Sequence, residues 1–188
     1  RSSDLIAPTV FTEEIGESFL ENVELIAHAV GNAETGEHLI AEYTQRTARI
    51  REALEQTGAG DTRVSLVRFN PGQVRIYDGY PGAIIADVGL SLPEEQQRVL
   101  GEKQVVTFTS KERIPLLDAD VMFMWSADWW DPGKAEETRS AWSDTELWQN
   151  LDVVEAGELY QVNAVSWNLA GGILAAHRVL DDLERVFE

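Results

Sequence analysis

The sequence predicts an α/β domain, a three-layer αβα lobe with a mixed, mainly parallel sheet, preceded by a long helical segment. Three observations predict this class. Residues 19–58 carry apolar side chains at helical spacing, residues 63–77 have the composition of two strands joined by a turn, and helical and β-type runs alternate from residue 81 onward. Because a strand that follows a helix normally joins the same sheet in parallel, the alternation favours a mainly parallel sheet.

The first 60 residues are predicted to be helical. The first helix has an apolar residue at every third or fourth position, namely Phe19, Val23, Ile26 and Val30. It ends at Gly31, and after a polar break at residues 32–36 a second helix continues to Gly58. Roughly 22 helical residues at about 1.5 Å each span about 33 Å, enough to run along a domain or to bridge two.

A β-hairpin follows, because RVSLVRF and QVRIY flank the turn sequence Asn70-Pro71-Gly72. Pro81 and Gly89 then bracket a short helix. The remaining predicted elements are a strand at 105–110, a helical turn at 111–118, a strand at 120–125, an exposed helix at 134–147, a short strand at 159–162 and an amphipathic helix at 170–187.

Composition excludes several classes of protein. A net charge of -18 leaves no basic stripe for nucleic acid and disfavours an anionic membrane surface. The absence of cysteine excludes thiol catalysis and zinc ribbons, and no apolar run reaches the ~18 residues of a membrane helix. The sequence lacks an initiator Met and a signal-peptide pattern and begins abruptly at Arg1, so we expect a fragment of a longer protein.

No group of residues predicts catalysis. The three histidines, His28, His38 and His177, fall on separate predicted helices without the spacing of a metal site. The sequence has no nucleophile elbow, no dinucleotide-binding glycine motif and no phosphate-binding loop. We therefore predict a binding protein rather than an enzyme, with no metal ligands and no cofactor of its own.

The tryptophans suggest where a ligand would bind. All six lie in the last third of the chain. Trp125 ends a predicted strand, and Trp129 and Trp130 follow in the next loop. Ligands of open α/β sheets bind beyond the carboxyl ends of the strands, where indoles offer flat amphipathic walls.

Arg68 is the second candidate, because it interrupts an apolar run that should be buried. A buried, unpaired guanidinium is costly, so Arg68 either pairs with a carboxylate or faces a cleft that receives an anionic ligand. Arg75 and Tyr77 share one strand face by alternation, but Arg75 is expected to point into solvent.

The order of elements resembles the solute-binding proteins of ABC importers that hold ferric siderophores between two α/β lobes joined by one long helix. The resemblance runs from Pro8 to the end, and its most specific segments are VSLVRFNPGQVRIYDGYPGAIIADVGL, SKERIPLLDADVMFMW and VSWNLAGGILAAHRVLDDL. It implies that residues 1–60 contain the end of the N-terminal lobe and the interdomain helical segment. Residues 61–188 would then be the C-terminal ligand-binding lobe.

The resemblance also implies functional residues. A siderophore already saturates Fe(III), so the protein needs only arginine for the negative charge and aromatic groups for the organic shell. By position, the cleft wall would contain Arg68, Tyr77, Tyr80, Trp125, Trp129 and Trp167. Glu112, in the SKER segment, corresponds to a glutamate that pairs with arginines of the permease. Without the resemblance, an exposed glutamate early in a helix is only a favourable dipole partner.

The same resemblance implies two partners, a ferric siderophore and an ABC permease. It also implies that the protein is an exported monomer, either periplasmic or a cell-surface lipoprotein. Within the family, haem is an alternative ligand, and Tyr77 or Tyr80 could be the axial ligand of its iron. Cobalamin is a second alternative, because walls rich in tryptophan would suit its corrin ring. From other classes, the alternatives are a chelatase-like or nitrogenase-like enzyme module and a protein-interaction domain with a tryptophan hot spot.

Overall fold

A five-stranded β-sheet forms the centre of the chain in a computed structural model that describes residues 9–14, 16, 18–128 and 132–187. Its strands are β1 (Val64–Asn70), β2 (Gln73–Tyr77), β3 (Val105–Phe108), β4 (Val121–Ser126) and β5 (Leu159–Gln161), in the order β3-β2-β1-β4-β5. β1, β4 and β5 are parallel, whereas β2 runs antiparallel to both β1 and β3. Four strands therefore point in one direction, which confirms the mixed, mainly parallel sheet.

Helices precede the sheet and alternate with its strands. They are α1 (Phe19–Ala29), α2 (Ala33–Thr57), α3 (Gly79–Asp87), α4 (Glu94–Leu100), α5 (Lys134–Ser143), α6 (Glu146–Gln149), α7 (Asp152–Glu155) and α8 (Gly172–Phe187). A 3₁₀ helix, Lys111–Leu117, precedes β4, and a π-helical turn, Val165–Leu169, precedes α8. None of the helices in the described part of the chain is long and apolar enough to cross a membrane.

Helical elements cover both faces of the sheet, as the prediction of three layers requires. On one face, Phe69 of β1 lies 5.9 Å from Trp148 of α6, measured between ring centres. On the other face, Phe123 of β4 stacks on Trp167 of the π-helical turn at 4.7 Å. Every residue of β1 is buried, because the central strand is covered from both sides.

Two predicted helices differ from the structure. The helix expected at 134–147 is divided into α5 and α6, because the Thr145 hydroxyl accepts a hydrogen bond from the Trp148 N–H and begins a new helix. The last helix begins at Gly172 rather than at residue 170. Gly171 and Gly172 have φ angles of +58° and +70°, which fit glycine and separate the π-helical turn from α8.

The long helix α2 is fixed to the lobe by polar contacts. The Arg46 guanidinium donates two hydrogen bonds to Glu184 of α8, at 2.6 and 3.0 Å, and another to Asp181 at 2.6 Å. One turn earlier, the Tyr43 hydroxyl donates to Asp87 of α3 at 2.7 Å. Burial of the Asp181 carboxylate raises its pKa, but the hydrogen bonds and charges of Arg46 and Arg178 together outweigh burial and lower the pKa. α2 therefore packs against the C-terminal helix as part of one unit.

Candidate functional site

A row of side chains with N–H donors crosses three adjacent strands on one face of the sheet. Arg68 of β1 lies directly opposite Arg75 of β2 and is aligned with Trp125 of β4. Partners in register share a face of the sheet, so these three side chains are neighbours. Tyr77 lies on the same face, two residues after Arg75. The sheet thus brings the predicted Arg68, Tyr77 and Trp125 together.

Arg68 is buried, with 7% of its surface exposed, and its contacts are neutral. Its Nη1 donates to the Tyr77 hydroxyl at 2.8 Å and to Oδ1 of Asn168 at 2.6 Å. Its guanidinium also lies 5.9 Å from the centre of the Tyr77 ring. Its Nε has no hydrogen-bond partner, and no acidic residue of the described ranges forms an ion pair with it. Of the two predicted environments, pairing with a carboxylate is therefore not found among the described residues, and Arg68 is a buried positive charge without a counter-ion.

Asn168 is a site residue that the sequence did not predict. It belongs to the π-helical turn, which lies over the sheet face that carries Arg68. Such turns are rare and occur frequently at functional sites. The neighbouring Trp167 holds this turn in place, because its ring stacks on Phe123 and its Nε1 donates to Asp182 at 2.7 Å. Asn168 falls in the segment VSWNLAGGILAAHRVLDDL, on which the resemblance rests, but within it only the neighbouring Trp167 was predicted to contact a ligand.

Trp125 and Trp167 do not form the exposed walls that were predicted. Their exposed fractions are 1% and 0%, because Trp125 projects from the sheet face that the π-helical turn covers, and Trp167 belongs to that turn and packs on the same face. Trp125 lies 5.5 Å from Tyr77 and 6.2 Å from Trp167, measured between ring centres. The two indoles therefore pack beside the cluster of Arg68, Tyr77 and Asn168. Trp129 lies outside the described residues.

The two tyrosines differ in exposure. Tyr77 is half-buried at the end of β2. Tyr80 is 6% exposed, packs edge-on against Phe19, and donates its hydroxyl to the Gly172 carbonyl at 2.8 Å. Burial raises the pKa of Tyr80, so its phenol stays protonated. Tyr80 therefore has a largely structural role, in contrast to its prediction as a ligand-facing residue.

A pocket of about 430 Å³ opens beside the cluster. Tyr77, Tyr80 and Asn168 contribute to its lining, together with the start of α1 and the glycines that precede α8. Its wall is mixed, with apolar side chains next to the amide groups of Asn22 and Asn168. A concave, mainly apolar surface with a few polar groups is typical of sites for organic ligands.

Glu112 lies elsewhere, in the first turn of the 3₁₀ helix. It is exposed, and its N–H donates to the Ser110 hydroxyl at 3.3 Å, which caps the helix as the sequence indicated. In the described part of the chain, no group of three or more acidic or histidine side chains has a geometry that could hold a metal ion.

Comparison with known proteins places this lobe in a family. A family described as "Periplasmic binding protein" matches residues 2–164. The probable siderophore-binding lipoprotein YfiY of Bacillus subtilis (strain 168) is 38% identical over 97% of this chain and 57% of its own length. The achromobactin-binding periplasmic protein of Dickeya dadantii (strain 3937) is 28% identical over 96% of this chain and 59% of its own length.

The fold is also found among solved structures. Staphylococcus aureus SirA complexed with staphyloferrin B superimposes with a TM-score of 0.90 and 31% identity, over 98% of this chain and 65% of SirA. The chain thus spans somewhat more than half the length of the curated relatives that it matches. The comparisons confirm the predicted fold and the predicted resemblance.

Proposed function

Because the chain belongs to the periplasmic binding protein family, we propose that it forms one wall of the ligand cleft in the substrate-binding component of an ABC importer. The proposed ligand is an iron(III)–siderophore complex, captured between two lobes and delivered to a membrane permease. The names of YfiY and of the achromobactin-binding protein support this ligand class over the alternatives.

The observation that carries this proposal is the cluster of Arg68, Tyr77 and Asn168. Arg68 supplies a positive charge that no carboxylate of the described chain neutralises. Tyr77 and Asn168 are half-buried and offer hydrogen-bonding groups at the edge of the pocket. A siderophore provides all the ligands of its iron, so the protein has only to match the charge and the organic shell of the complex.

Haem is less well supported as a ligand than a siderophore. It would need the oxygen of Tyr77 or Tyr80 on its iron. The Tyr80 hydroxyl is bonded to Gly172 and burial raises its pKa, and the Tyr77 hydroxyl already accepts a hydrogen bond from Arg68. No specific observation favours cobalamin, an enzyme module or an interaction domain over the siderophore.

A titration of the whole protein tests the proposed function. We expect ferric complexes of a hydroxamate, a catecholate or a carboxylate siderophore to quench tryptophan fluorescence, because Trp125 lies 5.5 Å from Tyr77, measured between ring centres. Haem and cobalamin serve as competing ligands in parallel titrations. Quenching by either of these alone, or by none of the complexes, would disprove the proposal.

Glu112 is proposed to pair with arginines of the permease, as the family resemblance implies. Glu112→Arg should then reduce uptake of the iron complex about tenfold or more, because it places like charges against each other across the interface. Ligand affinity should not change, since Glu112 lies on the 3₁₀ helix and outside the cluster. Transport assays with reconstituted permease measure the first quantity, and fluorescence titration measures the second.

Glu55→Arg is the matched control for this prediction, because Glu55 is also an exposed glutamate but belongs to α2. Equal uptake by the Glu112 and Glu55 variants would exclude a specific docking role for Glu112. The proposal also includes export of the protein, as a periplasmic protein or a lipoprotein, since the names of its relatives describe such proteins.

A further inference from the structure

Glu112 has no side-chain partner among the described residues, so the 3₁₀ helix that carries it determines where its carboxylate lies. We propose that Gln96, a fully buried residue of α4, is a positioning residue for docking, because it holds this helix in place relative to the sheet. This inference rests on the docking role proposed for Glu112 and identifies what fixes the position of that residue.

The 3₁₀ helix is weak by itself. It contains seven residues, whereas 3₁₀ runs longer than three or four are uncommon because their hydrogen bonds are poorly aligned. Pro115, inside the helix, has no N–H to donate. Ile114 and Leu117 are completely buried in the core, but apolar burial is non-directional and does not fix the orientation of a short helix. The helix therefore depends on polar contacts with other elements for its exact position.

Gln96 supplies such a contact from the centre of the lobe. Its Nε2 donates to the Leu116 carbonyl of the 3₁₀ helix at 2.9 Å and to the Ser65 hydroxyl of β1 at 2.8 Å. Gln96 and Ser65 both have an exposed fraction of 0%. A single amide group thus joins the helix that carries Glu112 to the central strand of the sheet.

The energetics of Gln96 also favour a positioning role. Its Oε1 is buried and has no hydrogen-bond partner among the described residues. A buried acceptor without a donor lowers stability, and an apolar side chain of similar volume would avoid that loss. Buried polar groups can instead fix one arrangement of the elements that they join. The hydrogen bonds of Gln96 are therefore better explained by the position they impose on the helix than by the stability they add.

Two further contacts fix the ends of the same helix. At its start, Lys111 Nζ donates to the Ala141 carbonyl of α5 at 2.6 Å. At its end, the Asp118 carboxylate accepts hydrogen bonds from the first two N–H groups of α7, at 3.0 and 3.1 Å. A shift of the helix would change the distance between Glu112 and an arginine of the permease, and the attraction between opposite charges decreases with distance.

The experiment measures uptake by the whole protein with the ABC permease in proteoliposomes. The substrate is whichever of the ferric hydroxamate, catecholate and carboxylate complexes quenches tryptophan fluorescence. Gln96→Met removes both hydrogen bonds and keeps most of the side-chain volume. Gln97→Met is the matched control, because Gln97 also belongs to α4 but is exposed, and its amide donates to the nearby Leu92 carbonyl. Each variant is also combined with Glu112→Ala.

We expect Gln96→Met to raise the concentration of loaded protein that gives half-maximal uptake about fivefold, with the maximal rate and the affinity for the ferric complex unchanged. In the Glu112→Ala background the same substitution should change that concentration less than about 1.5-fold, because the carboxylate that Gln96 positions is gone. A merely structural role would reduce uptake equally in both backgrounds. Gln97→Met should have no effect in either.

Lys111→Met provides a second test that does not disturb the core, since Lys111 is exposed. Removing a positive charge next to Glu112 would by itself strengthen the attraction to an arginine of the permease. Loss of the contact with Ala141 should instead raise the half-maximal concentration about threefold, so the two effects have opposite signs. Tighter docking of Lys111→Met would therefore count against the inference.

The outcomes separate the inference from the proposed function. If Gln96→Met folds and leaves the half-maximal concentration unchanged, or changes it equally with and without the Glu112 carboxylate, the inference is rejected and the proposed function stands. If Glu112→Ala does not affect uptake, the docking role of Glu112 and this inference are both rejected, while ligand binding remains established by the fluorescence titration. If no ferric siderophore binds, the proposed function is rejected as well.

Discussion

Replacing Arg68 by methionine is expected to lower the affinity for the ferric ligand about 100-fold, while the protein stays as stable as before or becomes more stable. The loss of affinity corresponds to about 2.7 kcal/mol, the magnitude of a buried, charge-assisted hydrogen-bond pair. Stability should not fall, because Arg68 is buried without a compensating carboxylate. Methionine keeps most of the apolar volume and removes the cost of burying a charge.

Two measurements test this prediction, a ligand titration and the midpoint of urea denaturation. Arg63→Met is the matched control, since Arg63 immediately precedes β1 but is exposed and lies at the opposite end of the strand from the turn. The control should change neither quantity by much. A marked loss of stability in Arg68→Met, with unchanged affinity, would show that Arg68 is a structural residue.

Replacing Trp167 by alanine is expected to destabilise the protein by about 3–5 kcal/mol, a large part of the stability of an ordinary domain. Trp167 is completely buried, stacks on Phe123 and donates to Asp182. Alanine would leave a cavity in the π-helical turn and would remove one of the two partners of the Asp182 carboxylate, the other being Arg185. Far-UV circular dichroism during urea denaturation measures the loss without depending on the fluorescence of the deleted indole.

Trp167→Phe reduces both contributions unequally, because phenylalanine keeps one aromatic ring in the stack but loses the hydrogen bond to Asp182 and part of the buried ring area. It should cost about 1–2 kcal/mol. Wild-type stability of Trp167→Ala, combined with a large loss of ligand affinity, would instead support the original prediction that this indole contacts the ligand.

Local sequence patterns were sufficient to predict much of the sheet. The turn sequence between β1 and β2 and the apolar runs around it depend on neighbouring residues only, so the hairpin was predicted correctly. Alternation along β1 and β2 also placed Arg75 and Tyr77 on one face. The family resemblance supplied the connection between this arrangement and a binding function.

Burial of the candidate site was harder to predict, because it depends on residues that are distant in sequence. Alternation assigns Trp125 to a face of the sheet, but it does not reveal that residues 165–169 cover that face. Asn168 contacts Arg68 across 100 positions of sequence, and no motif marks such a contact. Arg75 was expected to point into solvent, but it is half-buried with a buried Nε, because its environment is set by three different strands.

The attachment of α2 has a mechanical consequence. A helix of 25 residues measures about 37 Å, and polar contacts on successive turns join it to α8 through Arg46 and to α3 through Tyr43. Such a helix should move together with the sheet as one rigid body. Any bending between this unit and the rest of a longer protein therefore has to occur outside this attached stretch.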